Sequence, residues 1–97
     1  MKITIIYDNT SFKKNLQADW GFSCLVEEKD SPRILFDTGA NGRILLSNME
    51  KLKIDPLSIE EVFISHLHWD HVGGLSELLK TNPNIKKIYM KSGLRWL

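Results

Sequence analysis

All three histidines of the chain fall within six consecutive residues, and this cluster constrains the fold more than any other feature of the sequence. The cluster reads His66-Leu67-His68-Trp69-Asp70-His71. An apolar run, Val62-Phe63-Ile64-Ser65, precedes it, and Val72-Gly73-Gly74-Leu75 follows it. This order predicts a strand, then a loop that carries ligands, then a tight glycine turn and a helix.

The residue types in the cluster are those that bind divalent metal ions. Neutral imidazole nitrogens and carboxylate oxygens are ligands that zinc and its neighbours prefer. If strand geometry continues through the first ligands, His66 and His68 point to the same side. Asp70 and His71 then lie where the chain turns, so the loop predicts two pairs of ligands for two metal ions roughly 3.5–4 Å apart. A lone histidine beside a strand is usually a packing residue, but the clustering favours metal binding.

The motif His-x-His-x-Asp-His (HxHxDH), placed between a strand and Gly-Gly-Leu, resembles the signature of the metallo-β-lactamase superfamily. A second segment agrees, because Ile34-Leu35-Phe36-Asp37-Thr38-Gly39 is similar to the earlier strand of that superfamily, which ends in Asp-Thr-Gly. The resemblance implies an α/β (α+β) chain that forms the N-terminal half of a four-layer αββα fold, with a mixed sheet flanked by helices. It also implies that Asp37 supports the ligand loop from behind the ligands. By its position alone, Asp37 fits a turn cap equally well.

The resemblance also implies a role for each residue of the motif. His66 and His68 would bind the first metal, and Asp70 and His71 the second. Asp70 would in addition orient the attacking water or take its proton, which makes it the expected catalytic residue. The expected cofactors are two divalent metal ions, with zinc preferred and iron or manganese as alternatives.

Shorter segments narrow the resemblance to one branch of the superfamily. Tyr7-Asp8-Asn9-Thr10, Gly21-Phe22-Ser23, Asn48 and Leu52-Lys53-Ile54-Asp55 are similar to metal-dependent hydrolases related to dihydropterin ribofuranosyl-aminobenzene phosphate synthase. The superfamily implies that a hydroxide activated by two metal ions attacks an ester, amide, thioester or phosphoester of a small molecule. The branch implies instead a condensation that displaces a diphosphate. Both reactions need the same metal pair, so the motif does not choose between them.

One departure from the family concerns the later metal ligands. A complete domain of this type is much longer, and its later half supplies a further histidine, a bridging aspartate and a last histidine. After His71 this sequence has no histidine and no aspartate. We therefore expect residues 1–97 to be the N-terminal part of such a domain, without the C-terminal half. The alternatives are a non-catalytic chain that keeps the metal loop, or a half-domain that forms a homodimer or needs a complementing C-terminal half.

Composition and charge limit which partners and which cellular location we expect for this chain. The net charge is only +1 and the basic residues are spread along the chain, so we expect no nucleic-acid partner. No apolar run approaches the roughly 20 residues that span a bilayer, and from the strand pattern at its start we expect no signal peptide. Cys24 is the single cysteine, which excludes an internal disulfide, and its apolar surroundings predict burial. A cytoplasmic location follows as the default.

Hydrophobic periodicity predicts five strands, over residues 2–7, 22–27, 33–36, 62–65 and 87–90. A helix is predicted to begin at an Asn41 cap and to end at Asp55-Pro56, with a buried stripe of Leu45, Leu46, Met49 and Leu52. A second, short helix is predicted over residues 75–80. In this order both special segments, Asp37 and the histidine cluster, follow strands, where binding groups collect in layered αβ folds.

Overall fold

A computed structural model of the chain describes residues 1–9, 16, 21–65 and 72–90. The described elements, in chain order, are β1 (Lys2–Tyr7), β2 (Ser23–Glu27), β3 (Ile34–Phe36), α1 (Gly42–Lys51), a 3-10 turn (Pro56–Ser58), β4 (Glu61–Ile64), α2 (Leu75–Thr81) and β5 (Lys87–Met90). The five predicted strands are confirmed, and no predicted boundary differs from the observed one by more than one residue. Most of the polar segment after β1 lies outside the described residues.

The five strands form one mixed sheet in the order β1-β2-β3-β4-β5. β1, β2 and β3 are antiparallel neighbours, whereas β3, β4 and β5 run parallel to one another. Parallel neighbours need a crossover connection, and α1 and α2 lie in the two crossovers. The expected mixed sheet with flanking helices is therefore confirmed. The carboxyl ends of the three parallel strands lie at one edge of this sheet.

Both helices pack against the same face of the sheet. Leu45 and Met49 of α1 and Leu75 and Leu78 of α2 share one hydrophobic cluster with residues of all five strands. The strand residues in this cluster are Ile6, Tyr7, Leu25, Leu35, Val62, Ile64, Ile88 and Met90. Each large aliphatic side chain in such a core contributes about 1.5–3 kcal/mol through the area it removes from water. This core fixes the positions at which the parallel strands end.

The opposite face of the sheet is apolar but only partly covered. The register places Ile5, Cys24, Phe36, Phe63 and Tyr89 side by side across it. The rings of Phe36 and Phe63 stack with centroids 5.3 Å apart, and those of Phe63 and Tyr89 lie 6.4 Å apart. At the β1 edge Ile5 is 40% exposed. The expectation that a second copy of the chain covers this face stays a prediction.

Cys24 lies on that face and is 7% exposed, as its apolar neighbours predict. Burial raises the pKa of its thiol, and the negative charge of Asp37 raises this pKa further. The thiol therefore stays protonated at neutral pH, which makes Cys24 a packing residue rather than a nucleophile.

Within the described part of the chain, no helix combines the length and the apolar character needed to cross a membrane.

Helix α1 begins as the sequence predicts but ends earlier. The Asn41 side chain accepts hydrogen bonds from the backbone N–H groups of Arg43 and Ile44, which confirms the predicted cap. The helix ends at Lys51 rather than at Asp55-Pro56, so the predicted end is wrong. The Lys53 N–H donates to the carbonyl of Glu50 and the Ile54 N–H to that of Met49. These two bonds form a Schellman motif, which ends the helix before the proline is reached.

The Schellman motif gives a prediction for stability. Lys53 occupies its left-handed position, with φ of 60°, where glycine is normally preferred because it has no Cβ. Lys53→Gly is expected to raise the free energy of unfolding by about 0.5 kcal/mol, since relief of the left-handed strain outweighs the extra freedom of the unfolded chain. Lys51→Gly, at the last residue of the helix, is the matched control and should lower it by less than about 1 kcal/mol. Urea denaturation measures the free energy of unfolding of both variants. A shift of the same sign in both would contradict the assignment of Lys53 to the left-handed position of the motif.

Candidate metal centre

The segments that follow β3 and β4 meet at the edge of the sheet where the parallel strands end. Asp37 directly follows β3, and Ser65 directly follows β4. The predicted ligands follow Ser65 in the sequence, but His66, His68, Asp70 and His71 lie outside the described residues. Their roles therefore stay predictions. Over residues 1–9, 16, 21–65 and 72–90, no three histidine, cysteine or acidic side chains come together as a metal site.

The carboxylate of Asp37 binds the residue that precedes the histidine cluster. Its Oδ1 accepts a hydrogen bond from the Ser65 backbone N–H at 2.7 Å, and its Oδ2 accepts one from the Ser65 hydroxyl at 2.6 Å. Asp37 is 1% exposed, and its own N–H donates to the Phe63 carbonyl at 2.8 Å. A buried, two-point contact of this kind fixes the end of β4 relative to the end of β3.

A second contact reaches the residues on the other side of the cluster. The Gly39 carbonyl accepts a hydrogen bond from the Gly74 N–H at 3.0 Å. Asp37, Thr38 and Gly39, here called the Asp37–Gly39 turn, therefore contact the chain both before and after the histidine cluster. The turn thus fixes Ser65 and Gly74, which lie on either side of residues 66–71 in the sequence.

Gly74 shows why glycine is needed beside this turn. The predicted turn at Gly73-Gly74 is present, but Gly74 has φ of −85° and ψ of −5°, which most residues adopt readily. A Cβ on Gly74 would lie 2.4 Å from the Thr38 carbonyl oxygen and 3.4 Å from the Gly42 Cα. The requirement for glycine at position 74 is therefore one of space rather than of backbone torsion.

The Asp37–Gly39 turn is itself held from β2. The Ser23 hydroxyl donates to the Asp37 carbonyl at 2.6 Å, and the Gly39 N–H donates to the Phe22 carbonyl at 3.0 Å. Ser23 is fully buried. Sequence reasoning used Gly21-Phe22-Ser23 only as a family likeness and assigned Ser23 no role. Its chemistry depends on a partner fourteen residues away, so no local pattern could have identified it.

Tyr7 and Asn48 support the same edge of the sheet from β1 and α1. The Tyr7 hydroxyl accepts a hydrogen bond from the Asn41 N–H at 3.1 Å, and the Tyr7 ring packs over Gly39, where a Cβ would lie 2.6 Å from three ring atoms. The buried Asn48 side chain donates to the Ile6 carbonyl at 3.0 Å. The structure therefore places Tyr7 against the Asp37–Gly39 turn and joins Asn48 of α1 to the neighbouring residue of β1.

Comparisons with known proteins agree with this geometry. A family model described as metallo-beta-lactamase superfamily matches residues 21–97. The 7,8-dihydropterin-6-methyl-4-(beta-D-ribofuranosyl)-aminobenzene-5'-phosphate synthase of Methanocaldococcus jannaschii is 34% identical over an alignment covering 88% of this chain and 33% of that protein. A ribonuclease Z of Pyrococcus horikoshii is 46% identical over 48 residues, which cover 50% of this chain and 15% of that protein.

The solved structures include human tRNase Z, short form, which matches with a TM-score of 0.72 and 26% sequence identity. That match covers 98% of this chain and 36% of the human chain. The present chain therefore spans about a third of the length of the synthase and of the tRNase Z.

Proposed function

Because this chain belongs to the metallo-beta-lactamase superfamily and has the α+β architecture of its members, we propose that it supplies metal ligands to a hydrolase active site. The ligands would be His66, His68, Asp70 and His71. The observation that carries the proposal is the pair of hydrogen bonds from Ser65 to the Asp37 carboxylate, at 2.7 and 2.6 Å. Ser65 directly precedes His66, the first predicted ligand.

The donor set and its surroundings fit divalent cations. Three imidazoles and one carboxylate match the ligand preferences of zinc, and they also accept iron or manganese. Metal ligands are normally oriented by hydrogen-bonded partners behind them, and losing those partners weakens metal binding. The contacts of the Asp37–Gly39 turn with Ser65 and Gly74 support such an oriented loop, with Asp37 acting from behind the ligands.

The proposed chemistry divides between the cations and the side chains. Bound divalent cations would supply Lewis acidity, which lowers the pKa of a coordinated water and polarises a scissile carbonyl or phosphoryl group. His66, His68 and His71 would bind through neutral imidazole nitrogens. The Asp70 carboxylate would orient the attacking water and accept its proton, as a general base does.

The relatives favour an enzyme over the non-catalytic alternative, because their names include a synthase and ribonucleases. Hydrolysis of an ester, amide or phosphoester is the first candidate reaction. A synthase reaction is the second candidate, and its support is the 34% identity to the synthase over 88% of this chain. A small-molecule substrate, rather than a nucleic acid, is proposed from the net charge of +1.

Metal content tests the proposal directly. We expect the 97-residue chain, purified without added metal and measured by elemental mass spectrometry, to contain between one and two divalent ions per chain. A His66→Ala/His68→Ala double variant should lose at least one of these ions, because it lacks the predicted first ligand pair. Asp55→Ala, which removes a carboxylate outside the motif, is the control and should keep the full content.

Two outcomes would count against the proposal. A folded wild-type chain that takes up no zinc, even when zinc is added, would contradict the metal site. Equal metal content in the double-histidine variant and the wild type would show that the ions bind elsewhere. If metal binds, turnover of a chromogenic phosphodiester or a lactone by the loaded chain would favour hydrolysis over the synthase reaction.

A further inference from the structure

We propose that Ser23 is a positioning residue for the metal loop, because its buried hydroxyl holds Asp37 in the conformation that binds Ser65. The inference rests on the proposed function, since it concerns the loop that would carry the ligands. Ser23 acts through Asp37, and its effect reaches Ser65 in three steps that involve described residues.

The first step is the unusual backbone of Asp37. Its φ is 59°, in the left-handed region, where a residue with a Cβ is unfavourable unless surrounding contacts hold it. The Ser23 hydroxyl donates to the Asp37 carbonyl oxygen at 2.6 Å inside the fully buried start of β2. This bond fixes the peptide plane that follows Asp37, and the orientation of that plane is set by the backbone torsions of Asp37 itself.

The second step is the opposite end of the turn. The Gly39 N–H donates to the Phe22 carbonyl at 3.0 Å. Residues 22 and 23 therefore hold the Asp37–Gly39 turn at two points, one on each side of Thr38. Without the Ser23 bond, the Asp37 carbonyl would lose its buried hydrogen-bond donor, while the contact of Phe22 with Gly39 would remain.

The third step leads from the turn to the loop. The two carboxylate oxygens of Asp37 bind two different atoms of Ser65, the backbone nitrogen and the hydroxyl oxygen. Both bonds form only if the carboxylate leaves the backbone in one direction, because hydrogen bonds weaken steeply with misalignment. Rotation of the Asp37 backbone would therefore loosen Ser65, and with it the start of the segment that begins at His66.

Ser58 provides a comparison for this chain of contacts. Its hydroxyl donates to the backbone carbonyl of Asp55 at 2.6 Å, the length of the Ser23 bond. Unlike the Ser23 bond, this bond is exposed, and the Ser58 hydroxyl also accepts a hydrogen bond from the Arg33 guanidinium. Ser58 lies in the 3-10 turn that precedes β4, at the opposite end of that strand from Ser65. A purely structural role predicts that Ser23→Ala and Ser58→Ala each lower the free energy of unfolding without singling out the Ser65 amide, whereas a positioning role predicts faster exchange of the Ser65 amide in Ser23→Ala alone.

The experiment measures amide hydrogen exchange by NMR on the full metal-free chain, and zinc affinity by competition with a chelator. Ser23→Ala is expected to speed exchange of the Ser65 amide about tenfold relative to the Asn82 amide. It should also weaken zinc binding about tenfold, the low end of the range for residues behind metal ligands. Ser58→Ala should change neither quantity by more than about twofold, and Ser23→Thr, which keeps the hydroxyl, should restore both.

The outcomes separate this inference from the proposed function. Equal Ser65 exchange and equal zinc affinity in the Ser23→Ala and Ser58→Ala variants would overturn the role of Ser23. If the wild type binds no zinc, the proposed function fails, whereas exchange of the Ser65 amide still decides whether Ser23 holds Asp37. If Ser23→Ala does not fold, Ser23→Cys, similar in size but a weak donor, replaces it, and wild-type exchange at Ser65 in that variant would overturn the inference.

Discussion

Replacing Asp37 with alanine is expected to lower the free energy of unfolding by about 3 kcal/mol and to weaken zinc binding about 10- to 100-fold. The loss of stability follows because the Ser65 N–H and hydroxyl both lose their acceptor at a site where Asp37 is 1% exposed. Each hydrogen bond to a charged group contributes about 1.5–3 kcal/mol to stability. The loss of affinity follows because Ser65 immediately precedes His66, so the loop would lose its fixed starting point.

Two further variants separate these effects. Asp37→Asn should lower the free energy of unfolding by only about 1 kcal/mol, because asparagine tolerates φ of 59° and its amide can still bond Ser65. Asp55→Ala removes a carboxylate that accepts the Leu57 N–H at 2.9 Å, far from the Asp37–Gly39 turn. It should lower stability by about 1 kcal/mol and leave zinc binding unchanged. Urea denaturation of the metal-free chain and chelator competition give both quantities.

The role proposed for Asp37 would be wrong if Asp37→Ala and Asp55→Ala had the same zinc affinity. A large loss of stability with unchanged affinity would make Asp37 a turn residue alone, which is the alternative that its sequence position leaves open.

Gly74→Ala is expected to lower the free energy of unfolding by about 3 kcal/mol. The added Cβ would lie 2.4 Å from the Thr38 carbonyl oxygen, and no side-chain rotation relieves a collision with backbone. The start of α2 must then move away from the Asp37–Gly39 turn, which breaks the 3.0 Å bond between the Gly74 N–H and the Gly39 carbonyl. Because this bond holds the chain just after the histidine cluster, zinc affinity should fall as well.

Gly73→Ala is the matched control, since it makes the same change at the neighbouring, exposed residue. We expect it to alter the free energy of unfolding by less than about 1 kcal/mol. Thermal or urea denaturation of the two variants measures the difference. Equal stability of Gly74→Ala and Gly73→Ala would show that the turn and α2 do not approach as closely as the geometry requires.

Local chemistry accounts for most of the fold that the sequence predicts. The strand boundaries agree to within one residue because alternating apolar side chains already mark which residues face the helices. The Asn41 cap is confirmed for a similar reason, since the cap and its two donors lie within three residues. The end of α1 was predicted too late because Lys53, unlike glycine, gives no sign in the sequence of a left-handed position.

The sequence by itself determined the family, the mixed αβ architecture and the candidate ligands, because these depend on residues that are close together along the chain. HxHxDH and its flanking segments carry their chemistry within ten consecutive residues, 65–74. Only the tertiary structure decided what surrounds that loop. The partners of Asp37 include Ser23 and Ser65, fourteen and twenty-eight residues away, and they meet because the ends of three strands lie at one edge of the sheet. Contacts that depend on strand packing leave no periodic or local pattern in the sequence, and for that reason Ser23 and the space requirement at Gly74 became visible only in the fold.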